Sequence, residues 1–126
     1  MNHDAMQACI DACHECADAC NNCAVACLQE VNAQAMTRCV RLDLDCAALC
    51  TLAASAMTRG SEFVDAICEL CAQLCDACAL ECARHEADHC QRCAETCRRC
   101  ADECRGMGLS IPSHESKGDD LRPHLA

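Results

Sequence analysis

Between Cys9 and Cys27 the chain reads CIDACHECADACNNCAVAC, and its six cysteines are separated by 4, 3, 4, 3 and 4 positions. Steps alternating between three and four keep side chains on one face of an α-helix, along the stripe that a helix buries in a bundle. Leucine ordinarily fills such a stripe; here it is sulfur. The pattern recurs at Cys68, Cys71, Cys75, Cys78 and Cys82, and again at Cys90, Cys93, Cys97, Cys100 and Cys104. The intervening segment has only Cys39, Cys46 and Cys50, and Leu42, Ala53 and Met57 are expected to fill the other turns of its face.

Four helical segments follow from this spacing and its punctuation. The first spans about 4–29, with Asp4 and Gln7 at capping-box spacing. The second spans about 33–58 and stops at Arg59 and Gly60, a cation and a glycine suited to a helix C-terminus. Ser61 then stands where it can cap a third segment over about 62–84, whose first turn holds Glu62 and Asp65. Asp88 and Gln91 repeat the capping-box spacing and open a fourth segment that runs to near Gly106 and Gly108. Short connections make successive helices antiparallel. The expected fold is all-α, an antiparallel up-down-up-down four-helix bundle with a Cys-lined core over residues 1–108. Residues 109–126, with both prolines and the only lysine, read as a loop or partly disordered tail.

The fourth segment places the cysteines inside. From Cys90 to Cys104 it has no Leu, Ile, Val, Phe or Met, so a thiol is the largest apolar group that it can bury. A helix of this length depends on burying one face. Free cysteine is often merely a small buried hydrophobe, and that would suffice for one or two. Nineteen in register on four helices need another reason, because alanine, valine or leucine would pack without the risk of oxidation. Disulfides are a poor one: the number is odd, and partners one turn apart would close very short loops with little stabilisation.

Composition narrows the chemistry. The N-terminus, MNHDAMQACI, lacks a basic region followed by an apolar run, and no apolar stretch is long enough to span a bilayer. A soluble cytosolic protein is expected, where dense cysteine signifies metal or redox chemistry. A net charge of −10, one Phe and no Trp or Tyr oppose a nucleic-acid partner, which would want a basic surface or stacking platforms. Redox enzymes rely on one or two distinctive low-pKa thiols, and nothing resembles a nucleophile oriented by its own base, so catalysis is not expected.

Thiolates select Cu(I), zinc and iron–sulfur clusters. Iron–sulfur runs ending in Cys-Pro are absent. Structural zinc wants four converging ligands, whereas a helical seam offers successive pairs one turn apart. Eight C-x3-C pairs occur, at 9/13, 16/20, 23/27, 46/50, 71/75, 78/82, 93/97 and 100/104, leaving Cys39, Cys68 and Cys90 to act across helices. Cu(I), content with two or three sulfurs, suits pairs better than zinc. Nineteen thiolates would add as many negative charges to a chain already at −10. Isolated buried charge is prohibitive, so roughly one monovalent ion per thiolate is expected, in the high teens per chain. The competing reading is a zinc- or cadmium-sequestering protein like metallothionein.

The topology also gives the column two different ends. Met6, Met57, Phe63, Val64, Ile67 and Met107 gather at one, with Leu109 and Ile111 near, as an apolar plug. Cys27, Met36, Cys39, Cys82, His85, His89 and Cys90 gather at the other, as a mouth in which His85, His89 and Met36 are candidate ligands. His14 falls beside the seam, and His3, His114 and His124 lie in the termini without a structural role. Val40, Leu44, Leu49, Leu52, Leu70 and Leu74 exceed what one inward seam needs; they suit packing between helices or an oligomer surface.

The seams CIDACHECADACNNCAVAC, CELCAQLCDACALEC and CQRCAETCRRCADEC resemble those of the four-helix-bundle copper storage proteins, of the cytosolic type that lacks a twin-arginine export signal. The likeness covers about residues 4–107 and leaves out the tail. It implies that the bundle cysteines bind many Cu(I) ions and that chains assemble as homotetramers. A copper chaperone is the class of protein that would load such a store.

Overall fold

Each seam becomes a helix in the computed structural model, which describes residues 3–109. Helix α1 covers His3–Leu28, α2 Thr37–Arg59, α3 Val64–Ala83 and α4 Asp88–Leu109, with a short 3-10 turn at Ala33–Met36. Each helix neighbours two others, in the cyclic order α1, α2, α3, α4, around one core. No described helix is long and apolar enough to cross a membrane. The tail from residue 110, with Ile111, His114 and His124, lies outside the described residues, as do the side chains of His3 and Leu109.

The boundaries depart from expectation where polar side chains choose other partners. The second helix begins at Thr37, not 33, because the chain first makes the 3-10 turn, against which the Thr37 hydroxyl donates to the Gln34 carbonyl at 2.9 Å. Ser61 does not cap α3: its hydroxyl accepts the Phe63 N–H at 3.0 Å in a local turn, and the helix starts at Val64. The Gln7 amide reaches forward to Asp11 at 3.0 Å, while the Gln91 amide donates to the carbonyls of Ala83 and His85, at 3.2 and 2.6 Å. Gln91 therefore ties the start of α4 to the end of α3.

Gly60 ends α2 as its position predicts. It adopts φ 69°, its N–H bonds Met57 O at 3.2 Å, and the Ser61 N–H bonds Ala56 O at 2.9 Å. This pair of bonds is the Schellman arrangement, and the left-handed residue at its centre favours glycine.

All nineteen cysteines are buried, interleaved with alanines at 12, 17, 24, 47, 53, 54, 56, 72, 79, 94 and 101. Such small side chains let four helices close on one another. Met57, Val64 and Met107 are buried at one end, with Met6 and Ile67 packed partly against the core. Phe63, expected in that plug, is instead 63% exposed, because it sits in the turn before α3 rather than on its inward face. Val40 is buried and Leu42, Leu49 and Leu74 pack against the core edge, whereas Leu44, Leu52 and Leu70 face outward.

The inward face of α2 is not the one expected. Its series is Cys39, Asp43, Cys46, Cys50, Ala53 and Met57, so a carboxylate rather than Leu42 occupies the gap between the first two cysteines. Asp43 is 0% exposed. Its Oδ1 accepts from the thiols of Cys78 at 3.2 Å, Cys93 at 3.4 Å and Cys82 at 3.5 Å, and its Oδ2 faces Cys39 at 3.8 Å. Burial pushes its pKa up to about 8.

Two stability measurements follow. Nothing lies within 4 Å of a Cβ placed on Gly60, so Gly60→Ala meets only the conformational cost. Denaturant unfolding should show a loss of about 1–2 kcal/mol. Asp43 binds its proton more tightly folded than unfolded, so between its ordinary 3.8 and about 8 rising pH works against the fold. The protein should lose up to about 1.4 kcal/mol per pH unit in that window, with most of the slope gone in Asp43→Asn. Identical slopes in the two proteins would contradict the buried proton.

Candidate metal centre

The 4-3 spacing aims one thiol per turn at the bundle axis, and four helices do so together. Within helices, Sγ–Sγ distances are 3.8 Å for Cys23–Cys27, 3.9 Å for Cys71–Cys75, Cys78–Cys82 and Cys93–Cys97, and 4.0 Å for Cys16–Cys20 and Cys46–Cys50. These are C-x3-C pairs read from the sequence. Contacts across helices are as close or closer: 3.4 Å for Cys39–Cys82, 3.5 Å for Cys46–Cys75, and 3.6 Å for both Cys50–Cys71 and Cys20–Cys97. Cys13–Cys100, Cys9–Cys104 and Cys27–Cys90 each lie at 3.7 Å. Cys68 neighbours Cys9 and Cys104. All nineteen thiols are free.

Sulfurs so arranged group naturally in fours. Cys16, Cys46, Cys50 and Cys75 lie within 4.8 Å of one another, as do Cys16, Cys20, Cys46 and Cys97, and Cys20, Cys78, Cys93 and Cys97. Cys13, Cys71, Cys100 and Cys104 form another such set, and Cys23, Cys27, Cys39 and Cys90 one at the mouth. Several sulfurs belong to two sets, so the donors form a continuous column rather than separate cages. Burial dominates the titration of two mouth thiols: it pushes Cys27 up, with repulsion from Cys39 adding to it, and raises Cys90 to about 11.

The mouth is built by the ends of α1 and α3, the 3-10 turn, and the starts of α2 and α4. The two histidines expected there behave differently. His89 turns its Nδ1 to the sulfurs of Cys90, Cys23 and Cys27, at 3.6, 3.7 and 3.9 Å, and its Nε2 to Glu30 Oε2 at 2.8 Å. His85 points its Nε2 at Glu81 Oε2, 2.9 Å away. Glu81, 4% exposed, also receives Arg38 at 2.9 Å and Arg84 at 3.1 Å. Burial would raise the Glu81 pKa, but hydrogen bonds from His85 and Arg38 and the charge of Arg84 hold it below the usual range. Met36 is buried and, with His85, Glu30, Asn32, Arg84, Glu86 and Ala87, lines an open cleft of about 540 Å³. His14 is exposed on the outer flank of α1.

Three carboxylates at the site escaped the sequence reading. Asp43 had a signal, since it continues the 4-3 rhythm of α2 between Cys39 and Cys46. Glu81 had a weaker one, four residues before His85, which lies in the turn just after α3. Glu30 had none: it lies in the break after α1 and meets a histidine 59 positions away.

The sequence of residues 2–108 matches the family model for copper storage proteins. The structure is similar to the Cu(I)-bound copper storage protein 3 of Bacillus subtilis, with 47% identity, a TM-score of 0.80, and coverage of 82% of this chain and 98% of that one. It is similar also to a cytosolic copper storage protein from Streptomyces lividans holding five coppers, with 40% identity, a TM-score of 0.84, and coverage of 86% and 95%. An uncharacterized cysteine-rich protein of Bacillus subtilis is 48% identical over 66 residues, a match covering 52% of this chain and 61% of that protein's length. With four helices, a buried sulfur column along their axis and a family match over almost the whole bundle, the chain belongs to the copper storage protein family.

Proposed function

We propose that this protein is a high-capacity cytosolic store or buffer for Cu(I), holding many ions per chain on its core thiolates. The observation that carries the reading is the sharing of sulfurs between neighbouring donor sets, as Cys16, Cys20, Cys46 and Cys97 are shared. A tetrahedral zinc ion needs four sulfurs, so even with bridging the column of nineteen would be filled by few divalent ions. Cu(I) accepts two or three sulfurs and tolerates bridging, so a shared column can be filled along its length. Both the C-x3-C pairs and the equally short contacts across helices serve as ligands.

Charge favours the same ion. Each Cu(I) that displaces a thiol proton leaves the net charge of the core unchanged, whereas each divalent ion would have to be balanced by two thiolates or more. All nineteen cysteines are assigned as ligands, from Cys9 at the plugged end to Cys27, Cys39 and Cys90 at the mouth. Copper enters and leaves past His89, with His85 and Met36 lining the approach. The role is binding and release rather than catalysis.

A copper chaperone loads the store, and the chains assemble as homotetramers. The family resemblance supports the assembly, and the outward leucines at 44, 52 and 70 supply apolar surface for it. The bundle is the functional unit.

Anaerobic titration of the reduced protein with Cu(I) should saturate in the high teens of ions per chain, with zinc competing poorly; saturation at one to four would overturn the storage reading. Replacing both His85 and His89 by alanine should slow Cu(I) uptake or release in stopped-flow transfer while leaving capacity nearly unchanged. Since His89 alone meets the sulfurs, most of that effect should reappear in His89→Ala. Unaltered kinetics in the double variant would remove the histidines from the mouth.

A further inference from the structure

We propose that Glu30 is a positioning residue for the mouth of the column, holding His89 in the one tautomer that presents a lone pair to sulfur-bound metal. The assignment rests on the Cu(I)-storage reading for its purpose, but on hydrogen-bond geometry for its content.

The His89 ring lies between two kinds of partner. Its Nε2 is 2.8 Å from Glu30 Oε2, and its Nδ1 faces Cys90, Cys23 and Cys27 at 3.6–3.9 Å. An ionised carboxylate only accepts, so the neutral imidazole carries its proton on Nε2 and leaves Nδ1 bare. In the other tautomer an N–H would point into the sulfur cluster, and Glu30 would face a lone pair. Carboxylates commonly orient metal-binding histidines in this way, raising the basicity of the ligand nitrogen as they do so.

Glu30 is itself fixed by the turn that follows α1. Its N–H bonds the Cys27 carbonyl at 3.2 Å, and its own carbonyl accepts the Ala33 N–H at 3.1 Å. The backbone of Glu30 is thus tied to that of Cys27, one of the three sulfur residues that His89 faces. Three thiols and one nitrogen then form a preorganised donor set where the column opens. His85 shows that a glutamate partner alone is not enough, since Glu81 holds its Nε2 at 2.9 Å and buttresses α2 against α3 through Arg38.

The alternative role for Glu30 is electrostatic attraction of cations, and the two separate by experiment. In copper-free protein labelled with ¹⁵N-histidine, above histidine's ordinary pKa of about 6.5, long-range ¹H–¹⁵N spectra should show His89 as the Nε2–H tautomer. Glu30→Ala should abolish that preference and slow uptake of the first Cu(I) equivalents about 10-fold, the lower end of what such an orienting partner contributes. Total capacity should be unchanged. Glu30→Gln keeps an accepting oxygen without the charge, so tautomer and rate should both stay near wild type.

The proposal is overturned if Glu30→Ala retains the Nε2–H tautomer. It is also overturned if Glu30→Gln is as slow as Glu30→Ala while His89 keeps its tautomer, which would make Glu30 a charge only. If the wild-type protein took up only a few Cu(I) ions, the storage reading would fall, while the tautomer spectra would still decide whether Glu30 orients His89.

Discussion

The nineteen thiols are at once the apolar interior and the donor set, and this double use constrains the rest of the structure. A protonated thiol is a small hydrophobe with a weak donor, so it packs dry against alanine. Deprotonated, the same atom is a soft ligand. The core cannot be improved as packing without being spoiled as a site. Leucine at any of these positions would bury more area, at about 25 cal/mol per Å², but would interrupt the sulfur column. A fold built this way is stabilised comparatively little by its interior while copper-free, and gains when ligand binds the native state. Its other supports are correspondingly local, in the Gly60 turn, the Gln91 bonds between α3 and α4, and the Arg38–Glu81 pair between α2 and α3.

Carboxylates divide the labour that thiols cannot perform. Asp43 stands in the column itself, the one oxygen donor among sulfurs on the inward face of α2, and gathers thiols from α3 and α4. Glu30 and Glu81 stand at the mouth and each hold a histidine. Their surroundings differ in kind. Among the described residues Asp43 is paired with no cation, and it keeps its proton because burial outweighs its other interactions. Glu81 is as effectively removed from solvent, yet two arginines and a histidine keep it ionised. The interior therefore stays close to neutral, and charge is confined to the rim.

Much of this was legible in the sequence because a helix converts spacing into direction. Three seams with the same 4-3 rhythm can only face inward together, and a fourth helix without large apolar residues leaves no other core. The misreadings have two causes, a set of partners distant in sequence and a local turn that overrides hydrophobicity. Leu42 looked like the apolar filler of α2, but the period selects Asp43, whose burial makes sense only once three thiols from other helices surround it. Phe63 looked like a plug residue by hydrophobicity, but Ser61 binds its N–H and places it in the turn.

From the sequence alone came the helical bundle, its inward sulfur, the soft-metal chemistry and the existence of a mouth, all consequences of periodicity and of what each residue type can bury or bind. The tertiary structure decided which sulfurs meet, and it grouped them across helices as closely as along them. It also separated His89 from His85, two residues four apart on either side of the step from the α3–α4 turn into α4, and chemically identical. One faces three thiols because Glu30, far away in sequence, holds its other nitrogen; the other faces Glu81. Such pairings depend on the packing of whole helices, and local spacing carries no record of them.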